Sequence, residues 1–370
     1  IFEEGNITEY LGIPFAYPPI NKFRFLPPVE LKTLAWNGTR NASIPATSCM
    51  QYIKNINFSG YDDLNPKNLL REDCLELNMW VPYNSSGSVI VFIFGGSYNF
   101  ESASVDIYNG SILASKTQAI VVNLNYRLGI FGFGYLGEDS EVKGNMGFLD
   151  QQVGLKWVYN NIEYFGGNKS KITLFGESAG SASVTAHLLS KKSHPYFSNV
   201  ITCSGVITNL WATVTKEIAK NNTLTVANKL DCTGNNTEIL DCLQKVNATT
   251  LMLASLNVSH PEQLPLPVSF FPIDTDSVFF NGSVKEKISK LEIKKNADML
   301  IGRTADEATY FMPLFLDEFG CKFNSSIDAN SRENRCLLNE TVFLGVVDMV
   351  SKMIDFNNEE MRRLIATYSE

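Results

Sequence analysis

The pentapeptide Gly176-Glu177-Ser178-Ala179-Gly180 fits the pattern Gly-x-Ser-x-Gly, and its surroundings restrict the fold more than the five residues do. Ile172-Thr173-Leu174-Phe175, β-branched and aromatic, precedes it, and an Ala- and Leu-rich stretch from Ser181 to Leu189 follows. Strand, sharp turn, helix is the setting in which such a serine is held on a strained backbone with its hydroxyl presented at the turn. A serine at positive φ leaves no room for Cβ atoms packed beside it, which gives Gly176 and Gly180 a physical reason to be glycine. Composition alone would produce the pattern in about one chain in ten of this length. Between a strand and a helix it is far rarer.

Short apolar runs alternate with helical patterns along the chain. Residues Val89 to Phe94, Ala119 to Leu124, Ile172 to Phe175, Val200 to Cys203 and Met299 to Gly302 read as buried strands. Helices are expected over Gly147 to Asn161, Ser181 to Leu189, Thr213 to Leu230 and Ser283 to Lys290. Strands alternating with helices imply an α/β protein with a mostly parallel sheet and helices on both faces. Asn55 to Arg71 and Phe319 to Thr341 are polar and read as surface loops. No repeat or composition shift demands a second domain, so residues 1–370 are expected to form one domain, truncated at both ends.

With 370 residues, 44% of them hydrophobic, a sizeable core is available, and no apolar run is long enough to span a bilayer. The formal charge of -8 argues against nucleic acid or an anionic membrane surface as partner, since both need a basic face. The stretch Lys285 to Lys295 is interrupted by Glu and apolar residues and reads as a solvated helix face.

Fourteen Asn-x-Ser/Thr sequons mark a secretory route: Asn6, Asn37, Asn41, Asn57, Asn84, Asn109, Asn168, Asn221, Asn235, Asn247, Asn257, Asn281, Asn324 and Asn339. Chance would give about five, so N-linked glycans are expected as partners of a secreted glycoprotein. Seven cysteines suit that compartment. Their spacing suggests local loops, Cys49 with Cys74, Cys232 with Cys242 and Cys321 with Cys336, with Cys203 left over, although spacing does not fix pairing. Each such loop would contribute roughly 3 kcal/mol in the chain-entropy picture. Cys203 lies in an apolar run and is expected to be a buried, inert thiol. No signal peptide is seen, so a leader is expected to have been removed or omitted. The stretch Glu359 to Ile365 is expected to be an amphipathic helix.

Acyl transfer by a serine needs N-H donors for the developing oxyanion, one of them on the residue after the nucleophile, here Ala179. Phe94-Gly95-Gly96-Ser97-Tyr98, directly after a predicted strand, fits a second donor loop. Gly302-Arg303-Thr304-Ala305-Asp306-Glu307, after the strand at Met299, supplies a carboxylate where an acid partner belongs. No metal site is expected, because the three histidines are scattered and the cysteines have disulfide spacing. No phosphate-cradling loop is present, and no cofactor is expected.

The chain resembles the cholinesterase and type-B carboxylesterase family of α/β-hydrolases. The resemblance rests on Tyr10-Leu11-Gly12-Ile13-Pro14-Phe15-Ala16, Pro18-Pro19, Arg24-Phe25, Glu72-Asp73-Cys74-Leu75-Glu76-Leu77-Asn78 and Asn125-Tyr126-Arg127. Gly144 to Gln151, Phe165-Gly166-Gly167, the Ser178 pentapeptide and Ser204-Gly205 continue it in the family's order. It implies a large, mostly parallel twisted sheet, with the C-terminal part of the family domain absent from this chain. It makes Ser178 the nucleophile and Glu307 the acid, with Gly95, Gly96, Ser97 and Ala179 forming the oxyanion region, and it supports the pairs Cys49 with Cys74 and Cys232 with Cys242. It also places Glu177, Trp211, Leu266, Val268, Tyr310, Phe311 and Leu64 around the pocket for a small ester.

Departures from the family are equally informative. Ser97 stands where a third glycine is usual. Leu64 stands where cholinesterases stack a tryptophan on a quaternary ammonium, and leucine has no π face for a cation. Leu266 and Val268 stand where acetyl-selective members carry aromatics, which implies acceptance of longer acyl chains. No histidine follows Glu307, and His187, His194 and His260 are poorly placed to serve as base. His187 would lie about 13 Å of helical rise from Ser178. The expected function is a secreted serine carboxylesterase whose histidine is not in this chain, supplied by a tail or by a separate C-terminal chain. Its alternatives are a non-catalytic extracellular adhesion or binding protein on the same fold and a stoichiometric scavenger. Membrane tethering and oligomeric state are left open.

Overall fold

A computed structural model describes residues 6–366, apart from 32–35, 37, 57, 259–267, 316–320, 322, 329, 337–338, 354–358, 361 and 364–365. The chain divides into two units, residues 1–55 with 59–303 and residues 56–58 with 304–370.

In the first unit the strands are β1 (Ile7–Pro14), β2 (Ser48–Cys49), β3 (Leu70–Arg71), β4 (Glu76–Pro82), β5 (Val89–Ile93), β6 (Ile120–Leu124), β7 (Ile172–Glu177), β8 (Asn199–Cys203), β9 (Thr275–Asp276), β10 (Gly282–Ser283) and β11 (Met299–Gly302). Seven of them form one sheet in the order β1-β4-β6-β5-β7-β8-β11. The β1-β4 and β4-β6 pairs are antiparallel, and every pairing from β6 through β5, β7 and β8 to β11 is parallel. The helices are α1 (Ser59–Asp62), α2 (Ser111–Thr117), α3 (Gly129–Phe133), α4 (Met146–Asn161), α5 (Ala179–Leu189), α6 (Lys216–Lys229), α7 (Asn236–Lys245), α8 (Ala248–Ser255) and α9 (Val284–Ser289).

Alternation along a strand shows how both faces are covered. Val122 and Leu124 of β6 belong to the main core, where Leu124 packs on Gly154 of α4. Val121, one residue before Val122 and so out of phase with both, points to the opposite face and clusters with Trp80 of β4 and Ala114 of α2. Helices on both faces follow. Buried ion pairs tie loops to this core: Arg127 and Asp150 meet at 2.7 Å, and Arg24 holds Glu72 at 2.6 Å while donating to the carbonyls of Leu243 and Val246. Burial alone pushes the Asp150 carboxyl upward, and the Arg127 guanidinium opposes that shift.

Four sequence expectations need correction. Met299 to Gly302 forms a strand, but an exposed one: Leu300 is 65% exposed, because among the described residues β11 pairs only with β8. The helix expected from Thr213 begins at Lys216, since Val214 bridges to Ile273 and Thr215 becomes the N-cap, its hydroxyl accepting from Ile218 N-H. Lys287, expected on a solvated face, is buried with its ammonium 3.6 Å from Glu292. Cys203 is a free thiol but only half-buried, at the end of β8 opposite Glu177; burial and the Glu177 carboxylate both push its pKa up.

Cys49–Cys74 and Cys232–Cys242 are bonded in the first unit. In the second unit, α10 (Ala308–Phe315) and α11 (Glu340–Met353) flank the Cys321–Cys336 disulfide, and Phe58 packs on Phe323 with ring centroids 4.5 Å apart. The terminal helix expected from Glu359 lies partly outside the described residues; Arg363 pairs with Glu359 one turn away. No helix among the described residues is long and apolar enough to cross a membrane.

Asn37 and Asn57 lie outside the described residues; the other twelve sequon asparagines are all exposed. The buried asparagines, Asn78, Asn123, Asn125, Asn145 and Asn222, are not sequon acceptors. In six sequons the asparagine Oδ1 accepts the N-H of the hydroxyl residue two positions on, as in Asn41 to Ser43, Asn109 to Ser111, Asn168 to Ser170, Asn235 to Thr237, Asn247 to Thr249 and Asn324 to Ser326.

Between α4 and α5 lies a buried polar network. His187 sits 2.8 Å from Ser193 Oγ and 3.1 Å from Gln151 Oε1, and Gln151 in turn donates to Ser183 Oγ. An amide oxygen can only accept, so Nε2 carries a proton, and burial favours the neutral imidazole. Burial lowers the His187 pKa from 6.5 to about 3. The unfolded chain therefore binds the extra proton first as pH falls. Stability linked to His187 is complete above about pH 6.5 and declines toward pH 3. Urea denaturation of the wild type is expected to weaken across that window and that of His187→Gln to be flatter; identical pH slopes would refute the assignment.

Candidate active site

The parallel strands β5 and β7 end side by side, Ile93 opposite Gly176, so the loop after β5 and the turn after β7 emerge at one edge of the sheet. Ser178 is that turn. Its backbone sits at φ 53° and ψ -123°, well away from helix and strand, yet both of its peptide groups are anchored. Ser178 N-H donates to Cys203 O at 2.9 Å, prolonging the β7-β8 ladder, and Ser178 O accepts Ala182 N-H at 2.9 Å, opening α5.

This turn is possible because its flanks lack side chains. A Cβ on Gly176 would strike the backbone of Gly180 and Ser181, and one on Gly180 would strike the carbonyl of Ile93. A Cβ on Gly205 would meet Ser178 O and lie 3.2 Å from the Trp211 ring, which places Trp211 beside the elbow. Ala179 is the first residue of α5 and is fully buried, and the first N-H groups of a helix have no partner within it.

The Gly95-Gly96 loop lies directly against the serine. An atom built at the Cβ position of Gly95 falls 3.2 Å from Ser178 Cβ and 3.0 Å from Glu177 O. Gly96, Ser97 and Tyr98 all have positive φ, at 72°, 52° and 61°. Asn99 holds this shape by donating to Ser97 O at 2.7 Å and to Phe270 O at 3.0 Å. Val268, two residues before Phe270, is buried. The structure thus gathers Ser178, Ala179, Gly95, Gly96, Glu177 and Trp211, with Ser97 on the same loop.

The remaining expected residues belong to other segments of the chain. Leu64 is half-buried on the turn after α1, its N-H donating to Tyr61 O. Leu266 lies outside the described residues. Glu307, Tyr310 and Phe311 belong to the second unit: Glu307 accepts Thr304 N-H at 2.7 Å, and the two exposed rings of Tyr310 and Phe311 meet edge-to-face at 5.1 Å. His187 is committed to its buried network, and His194 Nε2 lies 2.9 Å from Leu188 O. His260 lies outside the described residues. Sequence reasoning missed Glu101, which is 7% exposed beneath the Gly95-Gly96 loop at φ 74°. No periodicity marks a lone glutamate in a polar loop.

Gly180→Ala is expected to destabilise the protein by at least about 2 kcal/mol, since backbone rather than a flexible side chain occupies the space. Gly302→Ala, with nothing within 4 Å of the added atom, is the control. Equal urea midpoints for the two variants would contradict the packing described.

Comparison with known proteins agrees with this geometry. Residues 1–368 match the Carboxylesterase family. The chain is 37% identical to an acetylcholinesterase of Danio rerio over 353 residues, covering 94% of this chain and 53% of that protein. It is 37% identical to an acetylcholinesterase of Electrophorus electricus over 322 residues, 84% of this chain and 49% of the relative. It is 38% identical to a cholinesterase of Mus musculus over 314 residues, 83% of this chain and 51% of the relative. The chain spans about half the length of these relatives. The α/β-hydrolase arrangement of the sheet, the strained serine turn and the match over nearly every residue agree: the chain belongs to the carboxylesterase family.

Proposed function

We propose that the chain belongs to a secreted serine carboxylesterase acting on small carboxylic esters. The single observation that carries this reading is the Ser178 backbone, strained at φ 53° between strand and helix, with Gly95 packed against its Cβ. Strain of this kind costs about 1–3 kcal/mol and persists where function uses it.

In this reading Ser178 Oγ attacks the ester carbonyl carbon while its proton passes to a histidine, and Glu307 orients that histidine. The N-H groups of Gly95, Gly96, Ser97 and Ala179 surround the oxygen that gains the negative charge. Collapse breaks the ester C-O bond, the histidine returns the proton to the departing alcohol, and water repeats the cycle on the acyl-enzyme. In this reading the base comes from outside these 370 residues: His187 and His194 are held by other partners, His260 precedes a proline in an expected loop, and no histidine follows Glu307. Relatives named acetylcholinesterase and cholinesterase favour an ester as substrate. Leu64, in place of a stacking aromatic, favours an uncharged alcohol portion, and Leu266 with Val268 favours acyl groups longer than acetyl. Exposed sequons and three disulfides support secretion with N-linked glycans attached.

A fluorophosphonate probe applied to the natively purified protein is expected to form an adduct on Ser178, read by peptide mass and lost in Ser178→Ala. Folded wild type that never labels would favour the non-catalytic binding protein, and an adduct with no ester turnover would favour the scavenger. Among esters of one alcohol, butyryl is expected to be hydrolysed faster than acetyl; equal or better acetyl turnover would refute the reading of the acyl pocket.

A further inference from the structure

The Gly95-Gly96 backbone is held between two carboxyl side chains. On one side, the Cβ position of Gly95 falls 2.7 Å from Glu177 Oε2. On the other, the Cβ position of Gly96 falls 3.1 Å from Glu101 Cγ and 3.2 Å from its Cδ, so Glu101 fills the space that the glycine leaves. Glu101 is fixed there at both ends: its carbonyl accepts Gln51 Nε2 at 2.7 Å, and its Oε2 accepts the Tyr108 hydroxyl at 2.7 Å. The loop's carbonyls are taken from elsewhere, Tyr126 Oη lying 3.1 Å from Phe94 O and 3.2 Å from Gly95 O.

We propose that Glu101 is a positioning residue of the oxyanion loop, shaping Gly95 and Gly96 as a neutral acid and disabling them when it ionises. This proposal rests on the esterase reading of Ser178. The chemistry is direct. A neutral carboxyl wedged under the glycines is a weak acceptor, so its hold on the Gly95 backbone is loose and the loop's N-H groups can turn to an oxyanion. A carboxylate in the same place competes for those N-H groups and sets a second negative charge behind the site, next to Glu177, where negative charge must develop in the transition state.

The groups facing Glu101 favour the neutral form at pH 7. Burial is the main cause, Glu177 adds to it, and the Tyr108 hydroxyl and the Gly95 backbone oppose it; together they lift the Glu101 pKa to about 8. Tyr108 and Tyr126 also feel both carboxylates, and their own hydroxyls are driven upward by burial first. Tyr98, which interacts with Tyr126, is likewise raised by burial, so no phenolate forms nearby.

The test follows three signals against pH in the intact protein: the carboxylic C=O infrared band absent from Glu101→Gln, the Gly95 and Gly96 amide nitrogen resonances, and the rate of fluorophosphonate labelling at Ser178. The band is expected at pH 7 and fades with a midpoint near about 8, the glycine amides move with the same midpoint, and labelling falls by about tenfold per pH unit above it. Glu101→Gln removes all three transitions. Tyr108→Phe, by deleting a donor to the carboxylate, moves the midpoint up, and Glu177→Gln, by deleting a like charge, moves it down. A protein with no neutral-acid band at pH 7, or with glycine amides indifferent to the band, overturns the proposal. If Ser178 labels at no pH, the esterase reading falls on its own, while the shared midpoint of band and amides still decides what Glu101 does to the loop.

Discussion

The close approach of Gly180 to the Ile93 carbonyl sets the rest of the site. Because no Cβ intervenes, the first turn of α5 rides directly on the end of β5, and Ser178 is forced into the left-handed region to join β7 to that helix. The loop leaving β5 then has nowhere to go but across the serine. Gly95 and Gly96 are consequences of that closeness rather than an independent device: any side chain on Gly95 would meet Glu177 and Ser178. One backbone contact thus fixes the spacing of strand, helix and loop.

Two acids lie close to this point. Glu177 and Glu101 flank the loop, and the formal charge of the whole chain is -8. The buried pair of Arg127 with Asp150 bonds the loop after β6 to α4, and Arg24 with Glu72 fastens the end of α7. Arg24 hydrogen-bonds through all three of its side-chain nitrogens, whereas Arg127 bonds Asp150 through Nε and Nη2 and leaves Nη1 buried without a partner among the described residues. Two carboxyls this close to an elbow meant for a reaction that builds negative charge make the protonation of each acid part of the chemistry.

Much of the architecture was legible because the parallel strands are β-branched runs closed by turn residues: β5, β6, β7 and β8 fall within one or two residues of the sequence reading. The elbow was legible because its glycines have a steric reason. Less visible was α7, although Asn235 and Glu238 form a capping box; the asparagine had already been read as a sugar acceptor, and one residue can serve two local rules. Lys287 and Glu101 were illegible for a different reason. Their burial is decided by long-range packing, and neither periodicity nor composition distinguishes a buried charge from a solvated one until a partner such as Glu292 or Tyr108 is placed.

The six sequons whose asparagine carbonyl oxygen holds a backbone N-H divide the labour of one amide group. The oxygen is engaged in closing a small ring with the hydroxyl residue, while the nitrogen is the atom to which an N-linked sugar attaches. The ring therefore survives glycosylation unaltered. At Asn235 and Asn247, which also cap α7 and α8, an attached glycan would start at the mouth of a helix without uncapping it, so carbohydrate could be trimmed or lost with little cost to the helices underneath.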